Sequence, residues 1–197
     1  MREIIVIMVS MVLVNNLVLV QGLGICPTIK LSVNAGRSAA LGTFVGLGMV
    51  AATAVTWPID KYLLKPFELE YFRILIFVPL VCLIGYLIVR LVHKLIPGFC
   101  MGVGCLNSLL MTNCAVVGIT LLSVQKDYSY LQAVLGSVGA GIGFVMVMVL
   151  FAGMRHRIDQ TKGIPQSFQG IPVYLVAAAM LAIVLTGFSS VAVGIFS

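Results

Sequence analysis

Charge is what this sequence has least of: Asp, Glu, Lys and Arg together make up 9% of its 197 residues, against roughly 25% in a soluble domain. So little polar surface cannot coat a water-facing globule, and 61% of the chain is hydrophobic. The residues of acid–base and metal chemistry are equally scarce, with 6 acids and 2 histidines in all. There is no paired set of catalytic carboxylates, no glycine-rich nucleotide fingerprint after a strand, and no ferredoxin-type run of cysteines. Those absences exclude hydride and flavin chemistry from the chain, so by itself it should catalyse nothing. Nucleic acid is excluded as well. The net charge of +6 comes from 12 basic residues scattered over short connections rather than gathered on one face, which is the topological signature of a membrane protein.

What the sequence has in abundance is long apolar runs. Six apolar stretches, 4–25, 39–57, 74–92, 95–122, 131–154 and 173–196, uncharged but for Arg90 near the end of the third, approach or exceed the roughly 20 residues that cross about 30 Å of hydrocarbon as a helix. The first begins right after Arg2 and Glu3 and has no small-x-small cleavage pattern behind it, so it is expected to remain in the mature protein. No connection is long enough for a second domain. The expected fold is an all-α integral membrane protein of six transmembrane helices in one domain, residues 1–197.

With six spans, the two termini and the second and fourth connections share one side, where Arg2, Lys61, Lys65, Arg73 and Lys126 are balanced by five acids. The other side holds Lys30, Arg37, Arg90, Lys94, Arg155, Arg157 and Lys162 against the single acid Asp159. By the positive-inside rule this second side is cytoplasmic and both termini lie outside. An odd number of helices per half then forces the halves, 1–93 and 94–197, to enter from opposite faces, as inverted repeats do. The first span of each half carries glycines, an asparagine-containing polar pair and a cysteine: Asn15, Asn16, Gly22, Gly24 and Cys26 in one, Gly98, Gly104, Thr112, Asn113 and Cys114 in the other.

Polar side chains inside apolar spans must face protein, water or a cofactor. For Asn15, Asn16, Thr112 and Asn113 the plain alternative is hydrogen bonding between helices. The five cysteines separate by surroundings. Cys82, flanked by Val81 and Leu83, reads as a small apolar residue. Cys100 and Cys105 have a C-x4-C spacing in a glycine-rich stretch, which suits close helix packing as well as ligation. Cys26 and Cys114 each follow polar or helix-breaking sequence in the first span of a half. Two thiolates on one metal sit only about 4 Å apart, and unbroken helices entering from opposite faces would carry these two apart. Both helices must therefore stop near the midplane, with Gly22, Gly24 and Pro27 breaking one and Pro97, Gly98, Gly102 and Gly104 delaying the other. Two cysteines leave a four-thiolate iron–sulfur cluster two ligands short, so such a site needs a partner chain. His93 and His156 fall in basic connections and read as solvated.

Residues 14–27 (VNNLVLVQGLGICP), 112–118 (TNCAVVG) and 143–155 (GFVMVMVLFAGMR) resemble the A-subunit family of the Rnf electron-transport complex and, as a paralogue, the E subunit of the sodium-pumping NADH:quinone reductase. The resemblance covers essentially the whole chain. It implies an inner-membrane, inverted-repeat subunit paired with a homologous, oppositely oriented E-type subunit, each giving two cysteines to a 2Fe-2S cluster, beside further subunits of B, C, D and G types. Cys26 and Cys114 match the iron-ligand positions; Cys82, Cys100 and Cys105 have no counterpart. Asn15, Asn16, Thr112 and Asn113 become candidate donors to cluster sulfurs or to carbonyls freed at the helix breaks. The implied function is electron relay across the membrane within an ion-translocating ferredoxin:NAD oxidoreductase. Two other classes stay open: a small inverted-repeat secondary transporter, although no Asp or Glu lies deep in any span, and a structural scaffold with incidental cysteines.

Overall fold

The computed structural model describes residues 8, 11–12, 16–18, 20–25, 28–29, 35–66, 70–95, 113–161, 165 and 169–196. All regular structure among them is helical. The principal helices are α1 (Ala35–Ile59), α2 (Arg73–Leu95), α3 (Cys114–Gln125), α4 (Tyr130–Asp159) and α5 (Ile171–Phe196). Three stretches, Ser38–Leu64, Arg73–Leu91 and Tyr130–Asp159, are long and apolar enough to cross a membrane, and α3 and α5 supply shorter apolar helices. Four of the expected spans thus coincide with α1, α2, α4 and α5. Two do not run as drawn. In the first, 4–25, the described residues from Leu17 to Gly24 are turns with Gly22 and Gly24 at positive φ, not helix. In the fourth, 95–122, Leu95 still belongs to α2 and the described helix begins only at Cys114. Residues 96–112 lie outside the described residues.

Close approach of α1 and α4 builds the centre of the bundle. In α1, Gly42 and Gly46 stand four apart on one face; a Cβ on Gly42 would lie 3.1 Å from Val145 Cα, and one on Gly46 3.3 Å from Gly141 Cα. On α4, Gly139 and Gly143 form a second such pair, facing the first span: a Cβ there would meet the Met8 carbonyl at 2.9 Å and Val12 Cα at 3.3 Å. Small residues at this spacing let backbones touch, which drives association where lipid offers no hydrophobic gain. Around them Val45, Met49, Ala52, Val116, Ile119, Phe144, Val147 and Met148 form the buried core. The outward faces of α2 and α5 are apolar and exposed, through Ile74, Leu75, Leu83 and Leu87 on one and Leu175, Val176, Met180 and Ile183 on the other.

The two ends of the bundle are set by tertiary contacts. At one end Pro58, which cannot donate a backbone hydrogen bond, precedes a π-helical turn over Asp60–Leu64. Buried Asp60 accepts from Arg73 Nε at 2.8 Å, Trp57 Nε1 donates to the Tyr128 carbonyl at 2.8 Å, and Lys65 pairs with Asp127 at 2.6 Å. Asp127 is left-handed (φ 48°) and closes α3, and a Ser129–Gln132 capping box opens α4. At the other end Arg155 Nη1 donates to the Ile29 carbonyl at 2.9 Å. The second and fourth connections therefore meet at one end and the first and fifth at the other, as the alternation of six spans groups them.

Gly141→Ala is expected to overpack the α1–α4 contact, since its Cβ would stand 3.0 Å from Gly46 Cα, and to cost about 1–3 kcal/mol. Gly153→Ala, inside the same helix with nothing within 4 Å, should not lower the unfolding midpoint of the detergent-solubilised protein and should raise it slightly. The hydrogen bond from Lys65 lowers the Asp127 pKa, and the same bond raises that of Lys65. A depressed carboxylate contributes stability present above its unfolded pKa of about 4 and lost as pH falls through the native value. Asp127→Asn should accordingly flatten the acid side of the stability–pH curve, a small effect because both side chains are exposed.

Candidate functional site

α3 begins where it does because Asn113 caps it. Asn113 has extended backbone (φ −79°, ψ 107°), its Oδ1 accepts from Ala115 N at 3.0 Å, and its own carbonyl accepts from Val116 N at 3.0 Å. With 12 residues the helix is about 18 Å long, a little over half of the roughly 30 Å hydrocarbon core. Its C-terminus lies at the Trp57–Lys65 end, so its N-terminus, with Cys114 as first residue, falls inside the bundle's length. Phe144, halfway along α4, marks the level.

The broken first span arrives at the same level. Gly24 N donates to Cys114 Sγ at 3.0 Å, joining residues 90 positions apart in sequence. Gly24 adopts φ +87°, and a Cβ there would stand 2.8 Å from Phe144, 3.1 Å from the Ala115 Cβ and 3.5 Å from Asn113 Oδ1. Both the conformation and the space demand glycine. Beyond it Ile25, Thr28 and Ile29 are helical, and the Gly24 carbonyl accepts from Thr28 Oγ1 at 2.8 Å, four residues on, as along a helix. Cys26, two residues after Gly24, lies outside the described residues, as do Asn15, Cys100, Cys105 and Thr112.

The described asparagines take different roles. Asn16 is buried and fully engaged: its amide donates to the Val12 carbonyl at 3.1 Å and the Gly143 carbonyl at 3.4 Å, and Oδ1 accepts from Val18 N at 3.1 Å. Its amide thus bonds two main-chain carbonyls, one in its own span and one in the middle of α4. Asn113 is 2% exposed, yet its Nδ2 has no hydrogen-bond partner among the described residues. A buried amide donor without a partner costs about 1–3 kcal/mol unless something fills its place, and this one sits beside an exposed thiol. Cys114 itself is exposed at the surface of the chain. Cys82 is half-buried on α2, and His156 is exposed near the end of α4.

Cys114 fits one ligand of a metal cluster that another chain completes. Its thiol faces outward, accepts a backbone N–H, and stands at a helix N-terminus, whose partial positive charge complements a metal-bound thiolate. Among the described residues no three His, Cys, Asp or Glu side chains gather into a metal set, so these residues offer such a cluster at most part of its ligands.

Sequence reasoning missed two features. One is a cleft of about 400 Å³ at the far end of α3, lined by Trp57, Lys61, Lys65, Asp127 and Gln132 among others; only the aromatic and lysine content of two connections hinted at it. The other is Arg155, read as one of several loop bases, which reaches the chain just past Cys26.

The family described as "Rnf-Nqr subunit, membrane protein" matches residues 4–192. The chain is 34% identical, over 95% of its length and 97% of the relative's, to the A subunit of the Na(+)-translocating ferredoxin:NAD(+) oxidoreductase complex of Acetobacterium woodii. It is 32% identical to the A subunit of the ion-translocating oxidoreductase complex of Syntrophotalea carbinolica, over 98% of this chain and all of that one. The corresponding protein of Rhodobacter capsulatus, which bears the same name, is 33% identical over 96% of this chain and 97% of its own. With a full-length family match and relatives above 30% identity, this chain is a member of the Rnf-Nqr family of membrane subunits.

Proposed function

We propose that this protein is the A-type subunit of an ion-translocating ferredoxin:NAD oxidoreductase complex in the cytoplasmic membrane. In that role it relays electrons through a 2Fe-2S cluster shared with a homologous, oppositely oriented E-type subunit, in company with the complex's other subunits. Cys26 and Cys114 give two of the four thiolates. The observation that carries this reading is the Gly24 N–H on Cys114 Sγ, midway along α4, which joins the helix break before Cys26 to the helix start at Cys114. When bound, the cluster supplies a one-electron station partway across about 30 Å of hydrocarbon. The chain's own residues do the rest. Gly24 donates a hydrogen bond to the Cys114 sulfur, α3 presents its positive end to it, and Asn113 Nδ2 is the remaining buried donor beside it. Phe144 and Ala115 close the space behind Gly24.

Inverted repeats, 1–93 and 94–197, with both termini outside, fit this arrangement. Asn16 and Asn113 make the same contact in each half, each accepting from the N–H two residues ahead at the point where the first span is interrupted. The transporter reading has less support. The buried carboxylate among the described residues, Asp60, is held by Arg73 at the end of the bundle, away from the midplane.

The deciding experiment measures iron and acid-labile sulfide, with electron paramagnetic resonance after reduction, on the purified assembly. Cys26→Ser and Cys114→Ser should each abolish one 2Fe-2S signal while Cys82→Ser keeps it; an iron-free assembly with all subunits present would return the transporter and scaffold readings. Asn113 separates into two roles by substitution. Asn113→Ala removes the helix cap and should cost about 1 kcal/mol of stability, which Asn113→Ser largely restores. If Nδ2 serves the cluster, the Ser variant still shifts its reduction potential, and an unchanged potential ends that assignment.

A further inference from the structure

The cleft where α1, α3 and α4 meet lies apart from the surroundings of Cys114. It holds about 400 Å³ between the π-helical end of α1 and the turn that joins α3 to α4, within the range of roughly 300–1,000 Å³ common to small-ligand sites. Its depth in the membrane follows from helix length. Ser38–Leu64 runs for 27 residues and α4 for 30, which at about 1.5 Å per residue is about 40 Å and about 45 Å. Those lengths match a bilayer with its headgroup layers, about 40–45 Å, rather than the roughly 30 Å of hydrocarbon alone. Lys61 and Lys65, at the end of the first stretch, and Gln132, in the first turn of α4, therefore stand in the headgroup layer. The aromatic side chains agree: Tyr62, Tyr71 and Tyr130 are exposed at this end of the bundle, where a membrane protein collects its interfacial rings.

Charge and hydrogen-bonding capacity narrow the ligand. Both carboxylates of the cleft wall are already engaged, Asp60 by Arg73 Nε at 2.8 Å and Asp127 by Lys65 at 2.6 Å. Lys61 differs. Its ammonium lies 4.7 Å from the centre of the Trp57 ring, and among the described residues no carboxylate pairs with it. The ring beneath it is fixed, because Trp57 Nε1 donates to the Tyr128 carbonyl at 2.8 Å and Tyr130 meets the indole edge-on at 5.3 Å between centroids. A lysine resting on a fixed ring is partly ordered before any ligand arrives, which lowers the entropy lost on binding. It also covers the aromatic face that would otherwise attract a cationic headgroup. Gln132 uses its Oε1 to accept from Ser129 N at 3.1 Å, so what it can offer the cleft is its amide donor. An uncompensated cation and an amide donor, held in the headgroup layer, suit a phosphodiester that carries net negative charge.

We propose that this cleft binds the headgroup of an anionic phospholipid of the phosphatidylglycerol type, with Lys61 on the phosphodiester and Lys65 and Gln132 beside it. The test uses the intact complex in phosphatidylcholine nanodiscs that contain a trace of phosphatidylglycerol bearing a photoactivatable diazirine on its headgroup. Cross-links mapped by mass spectrometry should fall on residues 57–65 and 124–132 of this chain. Excess unlabelled phosphatidylglycerol should compete them away, and excess phosphatidylcholine or phosphatidylethanolamine should not. Lys61→Gln should lower labelling of these two segments about fivefold, the factor that corresponds to one lysine beside an anionic headgroup. Lys61→Arg should keep most of it, and background labelling elsewhere in the chain should be the same in both variants. Unchanged labelling of the cleft in Lys61→Gln, or equal competition by the uncharged-overall lipids, overturns the proposal. Equal competition by inorganic phosphate at the same concentration overturns it too, since the cleft would then be a site for a free anion rather than for a lipid.

Discussion

A helix that stops inside hydrocarbon leaves amide and carbonyl groups that no water can take, and the centre of this molecule is organised around meeting that demand. Two chain segments stop there, the first span near Asn16–Gly24 and the segment that opens as α3 at Cys114. Each supplies what the other lacks. Asn16 takes up carbonyls of its own span and of α4, Asn113 takes up an amide at the start of α3, and the Gly24 amide finds a partner in the Cys114 sulfur. The glycine pairs on α1 and α4 let backbones come close enough for these short side chains to reach. Packing in the bundle and polarity at its centre are one arrangement.

A polar centre of this kind is costly in a membrane and is retained where it does something. Its chemistry here is sulfur-centred rather than carboxylate-centred: an outward-facing thiol with a hydrogen-bond donor on it and a second buried donor beside it. In the proposed reading that composition serves a metal cluster shared with a second chain, rather than proton or cation binding. Cys114 is exposed, and in the proposed reading that is the side on which a second chain would complete the site. Away from it, near the end of α4, Arg155 donates to the Ile29 carbonyl and lies over the Tyr174 ring of α5.

Much of the architecture was legible from residue types. Uncharged runs located α1, α2, α4 and α5 within a few residues, and the alternation of six spans grouped the second connection with the fourth and the first with the fifth, as the contacts do. Gly22 and Gly24 announced the break in the first span, and both take positive φ. The start of α3 was less visible: Pro97 and the glycines after it announced a delay in the run 95–122, but the run carries no charge and length alone cannot say where a helix begins inside it. The cap was nonetheless present as Asn113 ahead of an apolar stretch, a start signal usually read in soluble helices. The role of Asn16 was half legible: that it must bond something followed from its setting, but that it bonds carbonyls depends on Gly143 of a helix 127 residues away. Arg155 was illegible, since its partner is a main-chain carbonyl, which carries no sequence signature.

The central claim is that Cys114 holds iron together with thiolates of a second chain, and the most direct test is a cryo-electron microscopy map of the complete complex at a resolution that separates side chains. The account predicts density for a two-iron cluster on the Cys114 sulfur, bridging this chain and an oppositely oriented homologue, with Cys26 as the second ligand from this side. A map with both chains fully occupied and the Cys114 sulfur in contact with protein or lipid alone would contradict it.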